Sequence, residues 1–144
     1  MLHWGCTTNP QVRVQALERV ATGLHADEYA LRIDIRNPTE RPLVLDRWNY
    51  TVRTPTQSWS TEWIASRTLP PRSVTFETLP VVLQHADLSS TESTWRVDGT
   101  LQYLLPGQLA ETLFDLGVSR PDVSFAASGE TLSTGNAAPA VNQR

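Results

Sequence analysis

Between Glu28 and Arg36 apolar and polar side chains alternate without a break, with Tyr29, Leu31, Ile33 and Ile35 on one side and Arg32, Asp34 and Arg36 on the other. A period of two marks a β-strand with one face in a core and one in water. Antiparallel sheets show this one-sided alternation, whereas parallel strands covered on both faces read as unbroken apolar runs. Asn37-Pro38 stops the strand, because Pro38 has no N–H for a ladder and keeps the residue before it extended. Trp95, Val97, Leu101 and Tyr103 alternate in the same way with Arg96, Asp98, Thr100 and Gln102. Gly99 falls in their inward phase, where a neighbouring side chain or a bulge would need the space.

The weaker patterns fill in the rest. Val12 and Val14 alternate with Arg13 and Gln15, then Leu17 and Val20 follow with a shifted phase, so a first strand bends or bulges before Thr22-Gly23. Leu43 and Leu45 point one way while Trp48, Tyr50 and Val52 have the opposite parity, which predicts a register slip near Asp46-Arg47. Thr54 to Gln57 reads as a hairpin loop, and Trp59, Thr61 and Trp63 open the returning strand up to the break at Leu69-Pro70-Pro71. Val74, Phe76 and Thr78 alternate in a further strand that runs into Leu79 to Leu83, with Pro80 expected at an edge or bend. Gln84 to Ser93 is polar and short, with room for one helical turn or a little more. Leu109, Leu113, Phe114 and Leu116 are spaced for a short helix or a packed loop rather than a strand, and Val123, Phe125 and Ala127 form a last strand.

The expected fold is an all-β, antiparallel sandwich of immunoglobulin or fibronectin type III kind, with about seven strands and at most one or two short helices. Its core would hold Tyr29, Leu31, Ile33, Ile35, Leu43, Leu45, Tyr50, Val74, Phe76, Trp95, Val97, Leu101, Tyr103 and Phe125, with Trp48 beside them. Residues 1–11 read as an N-terminal tether, 12–129 as the domain, and 130–144 as a tail too small and polar to repay its ordering entropy.

Composition narrows the partners. The 144 residues suffice for one core, and a formal net charge of −3 offers no basic face for nucleic acid or for an anionic membrane. With one cysteine, Cys6, no intrachain disulfide framework exists. His3, His25 and His85 are scattered through lead-in, loop and connector, without the spacing of a zinc site, so no metal is expected. No Gly-x-Ser-x-Gly elbow, phosphate loop or dinucleotide fingerprint occurs, so neither an enzyme nor a cofactor is expected. Asp87, Glu92, Asp98, Glu111 and Asp115 read as solvated charges rather than as paired glycosidase acids.

Two features remain open to sharper readings. Trp59 and Trp63 lie on one face of a strand, either as an exposed contact strip for a sugar or protein, or as core filling. Gly5-Cys6, ahead of a polar stretch and a folded domain, looks like the mature end of a bacterial lipoprotein, whose cysteine accepts lipid. His3-Trp4 replaces the usual aliphatic residue, and the basic and apolar parts of a signal peptide do not precede it. One reading gives a lipid-modified Cys6 and a periplasm-facing outer-membrane lipoprotein of the bacterial envelope. The other gives a free thiol on a cytoplasmic protein, if Met1 is the true start.

The ordered set of Tyr29 to Thr39 ending in Asn37-Pro38, Pro42-Leu43-Val44-Leu45, Trp48-Asn49-Tyr50-Thr51-Val52, Leu79-Pro80-Val81 and Trp95 to Leu101 resembles the late-embryogenesis-abundant type 2 proteins and their water-stress and hypersensitive-response domain. The resemblance covers about Val12 to Gly129. It departs from the family pattern at Trp48 and in the short connector after Gln84. It implies a fibronectin-like sandwich in which Asn37, Pro38, Tyr50 and Gly99 are structural motif positions. It further implies a protein without catalytic residues that has a role in tolerance of desiccation or osmotic stress; a monomer with weak protein or membrane partners is the accompanying expectation. The competing expectation is an envelope adaptor that holds one specific partner through Trp59 and Trp63.

Overall fold

The computed structural model describes residues 9–84, 94–118 and 120–130. Seven strands and one helix follow in chain order: β1 (Gln11–Thr22), β2 (Ala26–Arg36), β3 (Leu43–Arg53), β4 (Ser58–Leu69), β5 (Val74–Gln84), β6 (Trp95–Leu104), α1 (Gln108–Asp115) and β7 (Asp122–Gly129). They form two antiparallel sheets, one ordered β1-β2-β5 and the other β4-β3-β6-β7. The expected sandwich is therefore the one observed. The expectations for Gln84 to Ser93 and for the tail fall outside the described residues, apart from Gln84 and Glu130.

The core lies between the sheets, where Tyr29, Leu31, Ile33 and Ile35 of β2 face Leu45, Trp48, Tyr50 and Val52 of β3, all buried. At about 1.5–3 kcal/mol for each large side chain, this face is the main source of stability. The predicted slip near Asp46 is present as a register shift between Leu45 and Arg47 in both ladders of β3. It turns Leu45 and Trp48 to the same face despite their opposite parity. β1 carries two such shifts, at Val14/Ala16 and Arg19/Ala21, the first of which returns Leu17 to the core. Where β1 and β2 meet at their hairpin end, Asp27 is buried 3.4 Å from Arg19 Nε, and the guanidinium lies 5.9 Å from the centre of the Tyr29 ring.

One part of the expected core is corrected. Val74 and Phe76 are exposed, Phe76 by 71%. β5 pairs with β2 without a register shift from Val74 to Gln84, so a single parity must serve its whole length. Leu79, Val81 and Leu83 set that parity by being buried. Thr75 and Glu77 are thereby turned inward, and the apolar residues before them outward.

Helix α1 ends on a Schellman turn, with Val118 N donating to Leu113 O and Gly117 N to Phe114 O. Gly117 takes the positive φ (74°) that this turn requires. Only Phe114 of the helix is buried, while Leu109, Leu116 and Val118 are exposed.

Candidate contact surface

A sandwich of two sheets has four edge strands, and what they present to a partner depends on where their outer backbone groups go. In an antiparallel pair the N–H and C=O of alternate residues point to the neighbouring strand and those between point away. Asn37 N donates to Ser73 O just before β5, so the residues of β5 in phase with Ser73 face β2. Phe76, Thr78, Pro80, Val82 and Gln84 then turn their backbone to the outer edge.

Part of that edge is closed from the other sheet. Arg67 Nη1 donates to Phe76 O at 3.4 Å and to Glu77 Oε2 at 2.7 Å. Tyr50 Oη, rooted in β3, crosses the core to donate to Pro80 O at 2.5 Å. At the far end the Gln57 side chain donates to Gln84 O at 3.0 Å and accepts from Gln84 N at 2.9 Å. Pro80, expected at an edge or a bend, lies on this edge and has no N–H to leave unpaired there. Burial pushes the Tyr50 hydroxyl well above the usual tyrosine range, so it remains a donor at any physiological pH.

The strand corners are fastened by Asn37, which is fully buried. Its Nδ2 donates to Arg41 O at 2.8 Å and Pro70 O at 3.0 Å, with Leu69 O 3.4 Å away, while its Oδ1 accepts from Thr39 N at 3.0 Å. The Asn-Pro pair therefore does more than end β2. It ties the β2–β3 corner to the β4–β5 corner, a role that needs an amide carrying both donors and an acceptor. Half-buried Pro38 fixes the turn between them.

Gly99 of β6 lies between Tyr50 of β3 and Phe125 of β7 in register. A Cβ there would come within 2.8 Å of Tyr50 Cβ and 2.9 Å of Phe125 Cζ, besides running into Asn49 O. The space is claimed by neighbouring side chains, one of the two alternatives the sequence left open.

The two tryptophans of β4 share one face, but it is the inward one. Trp59 pairs with Val52 and Trp63 with Trp48, both partners fully buried. Trp59 is half-buried, edge-on to Tyr50 with ring centres 5.9 Å apart. Trp63 is 45% exposed, and Ile64, also exposed, points to the opposite face. A paired outward strip does not form; of the two tryptophans Trp63 is the one exposed. Trp48 and Trp95 are buried as expected, and Trp48 meets Phe125 edge-on at 5.6 Å.

The remaining candidates separate. Cys6, Trp4, His3, His85, Asp87 and Glu92 lie outside the described residues, and His25 is exposed in the β1–β2 hairpin. Asp98 is held by Arg53 at 3.0 Å on the outer face of the β3–β6 ladder, and Glu111 and Asp115 are exposed on α1. Among the described residues no group of three His, Cys, Asp or Glu side chains is placed to hold a metal, and no helix is long and apolar enough to cross a membrane.

Sequence reasoning did not identify Gln57 and Arg67, whose side chains cap backbone groups of the β5 edge, or Glu77, which holds Arg67 there. Pro80 was the available signal, since it marked β5 as an edge whose outer groups need partners.

No family model and no curated protein matches the sequence. Solved structures do match. A putative late embryogenesis abundant protein, known from its solution structure, aligns over 87% of this chain and 71% of its own with a TM-score of 0.62 at 15% identity. A protein from Arabidopsis thaliana aligns over 83% of this chain and 79% of its own, with a TM-score of 0.60 at 14% identity. One from Archaeoglobus fulgidus covers 88% and 96%, with a TM-score of 0.55 at 13% identity. The chain shares its sandwich fold with these structures.

Proposed function

We propose that this chain is a non-catalytic stress-tolerance protein of the bacterial cell envelope that protects other proteins or membranes in desiccation or osmotic stress through weak contacts. The observation that carries the reading is the scatter of its exposed apolar side chains. Val74, Phe76 and Val82 lie on the outer side of β5, Leu109, Leu116 and Val118 on and after α1, and Trp63 and Ile64 on β4. A stable interface engages about 20–30 residues a side. Separate groups of two or three support only brief contacts with many partners. The fold shared with a putative late embryogenesis abundant protein supports the same reading. Lipid on Cys6 would keep such a domain at a membrane surface without inserting it.

The test is recovery of a freeze-sensitive enzyme after freezing and thawing. The reading expects more activity to survive with this protein than with an equal mass of albumin; equal recovery contradicts it. The second reading, an envelope adaptor that holds one specific partner, is favoured by the exposure of Trp63. It expects one stoichiometric partner in a pull-down, lost on Trp63→Ala.

A further inference from the structure

We propose that the outer face of the β1-β2-β5 sheet, at the end where β2 stops and β5 starts, is a docking surface for anionic phospholipid bilayers. The inference deepens the protective reading above, on which it rests for its physiological use, and names the membrane contact. Two cross-strand rows build the surface. Gln11, Arg36 and Val74 stand side by side in one, and Arg13, Asp34 and Phe76 in the next. They turn away from the core, since their neighbours Val12, Val14, Ile33 and Ile35 pack into it. Phe76 is 71% exposed and Val74 52%. Arg41, on the β2–β3 corner fastened by Asn37, adds a third exposed arginine at the same end.

The charge around Phe76 is one-sided. Arg13, Arg36 and Arg41 are exposed and form no ion pair among the described residues. The carboxylates nearby are engaged: Asp34 accepts from Gln15 at 2.9 Å, and Glu40 lies 3.5 Å from Arg72. A formal net charge of −3 therefore conceals a basic end. Each cation there is an arginine, whose planar fork pairs a phosphate through two hydrogen bonds. From β1 to β5 the set spans two strand spacings, about 10 Å, on a sheet face without walls. A bilayer is flat on that scale, with phosphates at its surface and apolar carbon beneath them for Phe76. The α1 leucines lack this match, because Leu109 and Leu116 flank Glu111 and Asp115, which an anionic surface repels. Asn9, held by Tyr103 at 2.7 Å, brings the chain in at the Arg36 end of the sheet, so a lipid on Cys6 would sit within about 10 Å of Asn9.

The experiment is co-sedimentation of the full chain, without lipid on Cys6, with vesicles of phosphatidylcholine alone or mixed with phosphatidylglycerol. A cation near an anionic leaflet is worth about fivefold in affinity, so three together favour the mixed vesicles about a hundredfold at low ionic strength. Added salt erodes that preference. Arg36→Gln and Arg41→Gln are each expected to weaken binding about fivefold, and Phe76→Ser about tenfold. Arg96→Gln, which removes the same charge from an exposed arginine of the other sheet, is expected to change nothing. All four side chains are exposed, so the urea midpoints of the variants stay at the parent value. Equal binding to both vesicle types, or an equal loss in Arg96→Gln, overturns the proposal. So does binding to soluble poly-glutamate as tight as to the mixed vesicles, which would assign the patch to an acidic protein. A dimer in vesicle-free sedimentation that Phe76→Ser dissociates overturns it too, in favour of a second copy. Recovery of the freeze-sensitive enzyme, run in parallel, separates the two readings. Protection without vesicle binding rejects this surface alone, and vesicle binding without protection of the enzyme rejects the protein-protecting role alone.

Discussion

The edges of β5 and β7 obey the same antiparallel rule and differ in how far side chains of the other sheet reach them. Each turns every second residue's backbone away from its sheet. On β5, the carbonyls of Phe76 and Pro80 and both groups of Gln84 are taken by side chains reaching over from the other sheet. On β7, where Tyr103 N donates to Pro121 O one step before the strand and so turns Ser124, Ala126 and Ser128 outward, the groups of those three meet no side chain among the described residues. The difference lies in the opposing strand. β3, β4 and the loop between them face β5 with Tyr50, Arg67 and Gln57, long enough to span the seam, whereas among the described residues no β1 side chain hydrogen-bonds the outer backbone of β7. An edge strand's availability is therefore decided by its neighbour in the other sheet as much as by its own sequence.

The most damaging way to break the comparison is proline at the wrong parity. Ala127→Pro removes a ladder donor to β6 and should cost about 3 kcal/mol or more, whereas Ala126→Pro, one residue earlier, should cost well under about 1 kcal/mol. Urea denaturation of the two variants checks the assigned phase directly; equal losses would reject it. Asn37→Ala comes next. It strips both corners of a buried amide, and an expected loss of about 3 kcal/mol at unchanged m-value follows from several bonds lost at once.

Tyr50→Phe leaves Pro80 O without its donor and should cost about 1–2 kcal/mol. The same hydroxyl gives a pH signature. Its folded pKa is raised above the ordinary tyrosine value, so the folded state keeps the proton where the unfolded chain loses it. The associated stability is fully present below about pH 10 and falls at higher pH by up to about 1.4 kcal/mol per unit. Tyr103, raised by burial and then by Asp122, acts in the same direction. The alkaline decline should be shallower in Tyr50→Phe. The smallest effect is expected from Arg67→Ala, an exposed contact worth under about 1 kcal/mol. Its consequence should be association at high concentration, seen in sedimentation, once the β5 edge is partly uncovered.

How much of this was legible in the sequence depends on whether a residue's role is local. β2 and β6 announced themselves because each keeps one parity from end to end, and the slip at Asp46 showed as a parity change between Leu45 and Trp48. β5 misled because it holds two apolar runs of opposite parity. Only pairing with β2 decides that Leu79, Val81 and Leu83 face inward at the expense of Val74 and Phe76. Asn37 looked like a strand terminator, since its bonds to Leu69 and Pro70 span more than thirty residues of chain. Trp59 and Trp63 were rightly placed on one face, but which face it was, and how far the other sheet covers it, are properties of the assembled sandwich. The β7 edge gives no positive signal in sequence; among the described residues it is defined by the capping side chains that the β5 edge has and it lacks.

The most direct test of the difference between the two edges is amide hydrogen exchange of the free, full-length chain, residue by residue. The account predicts alternation along β7, with Val123, Phe125 and Ala127 slow and Ser124, Ala126 and Ser128 fast, while Gln84 on β5 exchanges more slowly than those three and loses that protection in Gln57→Ala. Uniform protection along β7, or a Gln84 amide as fast as that of Ala126, would contradict it.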